Sequence, residues 1–416
     1  MPEVPSAVRD VADELYKCNR CGFCQTRCPV YRLTGKEASV ARGHSARLRA
    51  VLEGELPLDG ALRGSISECL MCRACTAECP PAIETDRIIV AARTAYTARR
   101  QSPLQRFIFR RVLARRGLLG LGARAFRLLK RTGLASAASL LRYLPWGRGL
   151  ASAPQLMPTP ASFLRDRVPG EARAKSAQVT YFVGCAIEFA LPEVGEATLQ
   201  VLRAAGRSAR LGDNVCCGLP PYSYGDIAAA TALARRNLEA LGREEVLLTD
   251  CGSCSSFLKE YPRLFAKDAP ERGRAESLSG RVRDATEFLL DLDLPELLPV
   301  PAVVTYHDPC HFSRYQKLAP QARALLARIP GLDYRELPEA DWCCGGAGSY
   351  GVTHPDTSRQ ILQRKMENVR GTGASLLVTA CPACMLQLRY GAALFAVPVE
   401  VVHISQLLAR ALPPVR

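Results

Sequence analysis

The sequence of 416 residues contains no uninterrupted apolar run of the roughly 18–20 residues that cross a bilayer. Its beginning, MPEVPSAVRDVADELYK, carries acidic residues and lacks the apolar core of an export signal. No G-x-G-x-x-G sequence opens a predicted helix after a predicted strand, so a fingerprint for binding a flavin or nicotinamide dinucleotide is missing. These absences predict a cytoplasmic chain that does not bind its own two-electron organic cofactor.

Acidic residues are missing from one long segment. Residues 87–165 contain sixteen Lys or Arg and no Asp or Glu, whereas the other 39 basic and 40 acidic residues nearly cancel. This segment therefore accounts for the net charge of +15. Apolar and arginine positions recur there at helical intervals, which predicts amphipathic helices over 103–116, 118–129 and 136–144. An extended linker is predicted at four prolines: Pro145, Pro154, Pro158 and Pro160.

Two interpretations of this basic segment remain open. It forms either solvated helix faces packed on the body of the protein, or a surface that contacts anionic lipid or an acidic partner subunit. Nucleic acid is not expected as a partner, because no nucleic-acid-binding module is present.

Cysteine, by contrast, is abundant, and all 18 cysteines fall into motifs. Disulfide frameworks are typical of small secreted chains, and thiols stay reduced in the cytosol. Grouped cysteines in a chain of this length therefore predict metal ligation.

The first eight cysteines form two runs of identical spacing, C-x2-C-x2-C-x3-C followed by proline, at residues 18–29 and 69–80. This is the spacing of two-cluster bacterial-type ferredoxins, in which the fourth cysteine of each run ligates the other cluster. Zinc also binds Cys-x2-Cys pairs, but two runs that both end in proline favour iron and sulfide. A helix is predicted at 41–54, between the runs. The predicted [4Fe–4S] ligands are Cys18, Cys21, Cys24 and Cys79 for the first cluster, and Cys69, Cys72, Cys75 and Cys28 for the second.

The other ten cysteines repeat one pattern: a single cysteine, a Cys-Cys-Gly turn, and a Cys-x2-Cys pair. Matching cysteines of the two copies lie 125 to 130 residues apart, which predicts a duplicated domain. Each copy is predicted to hold one metal centre. The candidate ligands are Cys185, Cys216, Cys217, Cys251 and Cys254 in the first copy, and Cys310, Cys343, Cys344, Cys381 and Cys384 in the second.

Each copy is predicted to contain alternating strands and helices. The first cysteine and the Cys-x2-Cys pair follow predicted strands at 178–184 and 245–250, and again at 302–307 and 375–380. Ligand sites of open α/β sheets lie beyond the carboxyl ends of strands, and the glycine after Cys-Cys permits close backbone approach. Helices are predicted at 192–206, 227–241, 320–329 and 357–370.

The predicted fold class is a multi-domain α+β protein. A helical two-[4Fe–4S] ferredoxin-type domain would occupy residues 1–100, and a basic amphipathic connector would occupy 101–175. Two α/β Cys-Cys-Gly domains would follow at 176–299 and 300–416.

The tandem Cys-Cys-Gly domains resemble those of the heterodisulfide reductase catalytic-subunit superfamily. Together with the ferredoxin-type module, they resemble the glycolate oxidase iron–sulfur subunit family more specifically. Related iron–sulfur subunits serve lactate-utilisation and anaerobic glycerol-3-phosphate dehydrogenase systems. The segments that carry the resemblance are CGFCQTRCPVYRLTG, ECLMCRACTAECP, YHDPCHFSRYQKL and DWCCGGAGSYGVTHPDTSRQILQRKMENV.

The resemblance implies an electron-transfer subunit of a 2-hydroxy-acid dehydrogenase of the glycolate or lactate type. It implies a separate FAD-binding subunit that oxidises the substrate, and relay of electrons toward quinone or another acceptor. It also implies one or two noncubane [4Fe–4S] centres in the repeat, with zinc in one half as an alternative. The chain would be cytoplasmic, with peripheral contact to the inner face of the cell membrane as a further possibility.

Two alternatives stay open, and no catalytic residue is assigned. The chain could itself reduce a disulfide or quinone at its Cys-Cys-Gly centres, as both five-cysteine sets are whole, or it could be a zinc-bearing scaffold. His307 and His311 flank Cys310 and either tune a metal centre or pack and cap the strand end.

Overall fold

The computed structural model describes residues 4–132, 157–241 and 246–414. The predicted helix at 136–144 lies outside these residues, as do Pro145 and Pro154.

The N-terminal module is built from helices, and every regular element that the structure describes between residues 4 and 132 is helical. The helix predicted between the two cysteine runs is present at Ala41–Leu52. Its neighbour Gly60–Ser67 begins at Asp59, whose carboxylate accepts a hydrogen bond from the Leu62 amide. The other helices of the module are Ser6–Arg9, Ala12–Tyr16, Phe23–Arg27, Pro29–Thr34, the 3₁₀ turn Glu37–Ser39, Ala74–Ala77 and Thr85–Arg99.

The basic connector continues as helices, as predicted. A short helix at Pro103–Phe107 runs into a π-helical turn at Ile108–Val112, and a longer helix spans Arg116–Arg131. Two short helices, Leu164–Arg167 and Pro169–Arg173, then lead to the first sheet.

The first repeat half has four strands: β1 (Val179–Tyr181), β2 (Ala209–Leu211), β3 (Val246–Thr249) and β4 (Val282–Asp284). They form a parallel sheet of order β2-β1-β3-β4. Its helices are Cys185–Phe189, Pro192–Ala204, Leu219–Ser223, Ile227–Ala240, Gly252–Lys259, the 3₁₀ turn Tyr261–Leu264, Arg272–Arg281 and Ala285–Leu290.

The second half has the strands β5 (Ala302–His307), β6 (Leu332–Tyr334), β7 (Leu376–Thr379) and β8 (Glu400–His403). They repeat the topology of the first half as a parallel sheet of order β6-β5-β7-β8. Its helices are Cys310–Gln316, Ala319–Ala327, Tyr350–Thr353, Pro355–Thr372, Pro382–Leu394 and Ile404–Arg410. The predicted fold class and duplication are confirmed. The edge strands β2, β4, β6 and β8 were not predicted, because each contains a charged residue and none is a continuous apolar run.

The two halves pack as one body around a shared core that includes Tyr181, Leu248, Tyr306 and Val378. The N-terminal module joins this body through a smaller apolar cluster. That cluster combines Val30, Leu70, Cys72 and Ala74 of the module with Trp342, Cys343, Tyr350 and Ile361 of the second half.

In the part of the chain that the structure describes, no helix is both long and apolar enough to cross a membrane.

Candidate metal centres

The first cysteine cleft of the N-terminal module encloses about 400 Å³. It is lined by three cysteines of the first run together with Cys75 and Cys79 of the second run. Gly22 begins the helix behind this loop at a φ of 90°, in the left-handed region that favours glycine. Cys21 is exposed, so this cleft lies close to solvent. The structure thus places the fourth cysteine of the second run beside the first run.

The second cleft, of about 450 Å³, is lined by Cys28 together with Cys69, Cys72 and Cys75. Cys28 therefore lies beside the second run, in the reciprocal arrangement. Amide groups point at two of these sulfurs: Tyr31 N lies 3.5 Å from Cys28 Sγ, and Met71 N lies 3.4 Å from Cys69 Sγ. Such donors are common around ligated sulfur, where they tune the metal centre.

The chemistry of these clefts fits a thiolate-ligated cluster. Burial raises the pKa of the Cys28 thiol to about 12 and that of Cys69 to about 11, because a low-dielectric site disfavours the thiolate. A metal centre supplies the positive charge that makes these thiols deprotonate, and soft thiolate donors select iron–sulfur clusters and zinc. The cysteine-by-cysteine assignment to two clusters stays a prediction.

In the first repeat half, the cysteines lie where an open sheet of this order binds its ligand. Cys185 follows β1 and Cys251 follows β3, and the order β2-β1-β3-β4 reverses direction between these two strands. The sulfurs lie beside one another in the order Cys185, Cys216, Cys217, Cys254 and Cys251. Interaction with the Cys216 and Cys254 thiols holds the pKa of Cys217 well below its usual range.

The second half repeats this arrangement after β5 and β7. The sulfurs of Cys343, Cys344, Cys384 and Cys381 lie beside one another in that order. Interaction with Cys343 and Cys384 lowers the pKa of Cys344, the counterpart of Cys217. Burial raises the pKa of Cys310 above its usual range, and the negative charge of Cys72 acts in the same direction. Cys310 is therefore near the second ferredoxin-type cleft.

The predicted close approach at the Cys-Cys-Gly turns is confirmed. A Cβ atom on Gly345 would lie 2.7 Å from the Ser358 carbonyl oxygen, and one on Gly218 would lie 3.3 Å from that of Ala230. Both glycines also have a positive φ. Each turn is thus held directly against the second helix after it, which fixes the Cys-Cys pair in the core.

The two sets of five cysteines meet, which the sequence analysis did not anticipate. Cys251 of the first half lies beside Cys381 of the second. Ser253 Oγ lies 3.5 Å from Cys381 Sγ, and the Gly252 amide donates to the Ala380 carbonyl over 3.3 Å. The repeat therefore carries a continuous row of sulfurs from Cys185 to Cys343.

Several polar residues around the cysteines were also missed. Arg314 donates to the Cys72 carbonyl over 3.2 Å, and Tyr315 donates to the Met71 carbonyl over 2.9 Å. Lys365 is fully buried and donates to two backbone carbonyls, and desolvation lowers its pKa to about 8. Their sequence signal is weak, because an arginine, a tyrosine or a lysine on an amphipathic helix is normally at the surface.

The fold and its sites define a class: an iron–sulfur protein in which a helical dicluster module precedes a duplicated cysteine-rich domain. A family model described as "4Fe-4S dicluster domain" matches residues 14–83. A model described as "Cysteine-rich domain" matches residues 179–259 and again residues 304–389.

Individual relatives narrow this class. The chain is 30% identical to the "Probable glycolate oxidase iron-sulfur subunit" of Bacillus subtilis (strain 168), over 99% of this chain and 97% of the relative. It is 30% identical to the "Glycolate oxidase iron-sulfur subunit" of Escherichia coli (strain K12), over 91% of this chain and 90% of that protein. "Lactate utilization protein A 1" of Bacillus cereus (strain AH820) is also 30% identical, but covers 56% of this chain. The chain belongs to the glycolate oxidase iron–sulfur subunit family.

Proposed function

We propose that this chain is the electron-transfer subunit of an FAD-linked 2-hydroxy-acid dehydrogenase of the glycolate or lactate type. A separate flavoprotein subunit would oxidise the hydroxy acid, and this chain would relay the electrons toward quinone or another acceptor. The observation that carries the proposal is the continuity of the cysteine sites, from the N-terminal module through the second repeat half to the first.

The junction between the module and the second half is the first support. Cys72 lies in the same buried cluster as Cys343, with Cys310 packed against it. Arg314 donates to the Cys72 carbonyl and, over 2.8 Å, to the Asp341 carboxylate. Asp341 also pairs with Arg27 of the module over 2.7 Å. These charge-assisted bonds hold the cysteine sites of the two domains side by side.

The contact between the two halves is the second support. Cys251 lies beside Cys381, and Ser253 Oγ lies 3.5 Å from the Cys381 sulfur, so the sites of the two halves adjoin each other. Bound [4Fe–4S] clusters would supply one-electron carriers whose potentials depend on ligands, hydrogen bonds to sulfur and solvent exposure. The chain would hold two such clusters in the module and one or two further centres in the repeat, with zinc in one as the alternative.

The series of cysteine sites, from the N-terminal module to the first repeat half, is accessible at both ends. Cys21 is exposed at the outer cleft of the module, and Cys185 is exposed in the first half, where the other four cysteines of that half are buried. A series of sites with an exposed cysteine at each end suits a relay that takes electrons from one partner and delivers them to another.

The connector supplies a surface for one of these partners. Leu121 and Leu128 lie on one face of the helix Arg116–Arg131, and each is 63% exposed. Phe107 adds a further exposed ring, and the surrounding segment carries no acidic residue. This combination supports peripheral contact with anionic lipid, or burial of the same face against the flavoprotein subunit.

The test is co-purification with an FAD-binding subunit. The two proteins would be expressed together anaerobically, with an affinity tag on this chain alone. We expect a flavin-containing complex that oxidises a 2-hydroxy acid with a dye or quinone as acceptor. A Cys72→Ser variant should still bind the flavoprotein and transfer electrons poorly, and Ser67→Ala serves as its control. A fully active enzyme from this chain alone contradicts the proposal.

A second candidate function is reduction of a disulfide or quinone at the Cys-Cys-Gly centres by this chain itself, as in the heterodisulfide reductases. The exposure of Cys185 favours it, because a substrate could approach the first-half site there. Replacing Cys217 by serine separates the two functions. If the ferredoxin-type clusters remain loaded and disulfide reduction is lost, the chain is a catalytic subunit.

A further inference from the structure

His307 is the last residue of β5, and its side chain is only 1% exposed. One of its ring nitrogens, the Cys344 sulfur and the Cys384 sulfur all lie within 4.8 Å of one another. His307 is also among the neighbours that hold the pKa of Cys344 low, after Cys343 and Cys384. The imidazole is therefore directed at the cysteines of the second half.

Neither ring nitrogen of His307 has a hydrogen-bond partner of acceptable geometry among the residues that the structure describes. An unsatisfied buried polar group costs about 1–3 kcal/mol, so such a group calls for an explanation. The other four histidines each place a ring nitrogen near a polar atom: His44 at Ser65 O, His311 at Cys310 Sγ, His354 at Ser67 Oγ and His403 at Asp250 O. His307 thus differs from them all.

The two repeat halves differ at this position. His307 stands three residues before Cys310, and Phe182 stands three residues before Cys185 in the first half. Both side chains are buried. The first half thus has a hydrocarbon ring where the second has an imidazole with two ring nitrogens, although the cysteine pattern is the same. Phenylalanine fills the equivalent position of the first half, so packing at this strand end does not by itself require an imidazole.

We propose that His307 is a nitrogen ligand of the iron–sulfur centre in the second half, so that the two centres of the repeat have different ligand sets. The inference rests on the proposed function, which puts an iron–sulfur centre in that half. The donor set is chemically suitable, since neutral imidazole and thiolate bind the same metal ions, with bond lengths of about 2.0–2.3 Å. Replacement of thiolate by imidazole ligands raises the reduction potential of a cluster.

The experiment uses the full chain, purified anaerobically after growth with ¹⁵N-labelled histidine. Iron, zinc and sulfide are measured first, and the reduced protein is then examined by pulsed EPR for a coupling to histidine nitrogen. The variants are His307→Phe, which copies the first half, and His307→Cys, which restores a ligand with a thiolate. His311→Phe is the control, because that histidine also lies beside Cys310 but is only partly buried and already has a partner.

We expect a ¹⁵N coupling in the unaltered protein and in His311→Phe, and its loss in His307→Phe. We also expect His307→Cys to keep its iron and to lower the midpoint potential of one centre. Iron in the second half without a histidine coupling overturns the inference and leaves the proposed function standing. Iron sufficient for only the two ferredoxin-type clusters, or zinc in place of iron in the second half, overturns both the inference and the proposed iron–sulfur centre there.

Discussion

The Cys251 thiol of the first repeat half lies beside the Cys381 thiol of the second, so that equivalent positions of the two copies are neighbours. Contact between a residue and its own counterpart is characteristic of two-fold packing. The symmetry is broken beside it. The Gly252 amide donates to the Ala380 carbonyl, but the reciprocal donor would be Pro382, which has no N–H. His403 Nε2 takes that place, 2.9 Å from the Asp250 carbonyl.

The crossed ligand assignment of the N-terminal module can be tested with Cys79→Ser and Cys28→Ser. Because Cys79 lines the cleft of the first run and Cys28 that of the second, each variant should lose about four irons from the cluster of the other run. EPR of the reduced protein would identify which signal disappears. Loss of the signal of the variant's own run would show that the clusters are not crossed. Ser67→Ala, outside both runs, is the control.

Arg73 is expected to hold the module to both repeat halves. It forms two hydrogen bonds, of 2.8 and 2.7 Å, with the buried carboxylate of Asp86. Its guanidinium also lies 3.4 Å from Glu260 and stacks 3.8 Å from the Tyr315 ring centroid. Arg73→Ala leaves a buried carboxylate unpaired, which costs about 3–5 kcal/mol.

The measurement for Arg73→Ala is denaturant unfolding of the cluster-loaded protein, followed by cluster absorbance. Arg87→Ala removes a more exposed partner of Glu84 and should cost less than about 1 kcal/mol. Equal effects of the two variants would contradict a special role for Arg73.

Asp284 should make stability depend on pH. Burial raises its pKa to about 7, although the carboxyl accepts hydrogen bonds from Ser255 and the Thr286 amide. The folded state therefore binds a proton more tightly than the unfolded state between pH 3.8 and about 7. The stability from this group is complete below pH 3.8 and is lost as pH rises toward 7.

Asp284→Asn is neutral at every pH and can keep both polar contacts. From pH 5 to pH 8, we expect the variant to gain roughly 2 kcal/mol of unfolding free energy relative to the unaltered protein. Denaturant melts at the two pH values measure this difference. Asp291→Asn, at an exposed site, controls for the loss of one carboxylate. Parallel pH profiles for Asp284→Asn and the unaltered protein would refute the expectation.

Gly345→Ala should damage the second centre selectively. The new Cβ would lie 2.7 Å from the Ser358 carbonyl oxygen, at a φ of 81°. The left-handed backbone alone costs about 1–3 kcal/mol, and the clash pushes the Cys-Cys turn away from the helix. Thermal unfolding and iron content are the two measurements. Gly371→Ala, which meets no atom within 4 Å, should be neutral or stabilising by up to about 1 kcal/mol.

The connector surface is tested by replacing both Leu121 and Leu128 with glutamate. If this face lies on anionic lipid, the variant should lose roughly tenfold or more in affinity for anionic vesicles, since it loses apolar burial and gains negative charge. Vesicle flotation with anionic and neutral lipid measures this. Leu298→Glu changes an exposed leucine elsewhere and should bind normally. If neither lipid binds the unaltered chain and the double variant loses the flavoprotein instead, the face is a subunit interface.

The sequence by itself determined the grouping of the cysteines, the duplication and the helical nature of the N-terminal module. These features show in short segments: Cys18 to Cys28 span eleven residues, and the predicted strands before Cys251 and Cys381 are largely apolar runs. Spacing and periodicity report such short-range constraints directly. The edge strands, such as β2 and β6, were missed because each contains a charged residue and does not form a continuous apolar run.

Only the tertiary structure decided how the sites meet. Cys251 and Cys381 are 130 residues apart, and Arg314 is 242 residues from Cys72, whose carbonyl it binds. No local pattern encodes these contacts, because they arise from the packing of one repeat half on the other and of the module on both. The same holds for His307, whose residue type was visible in the sequence. That its ring is buried against Cys344 and Cys384 without a hydrogen bond follows from the fold alone.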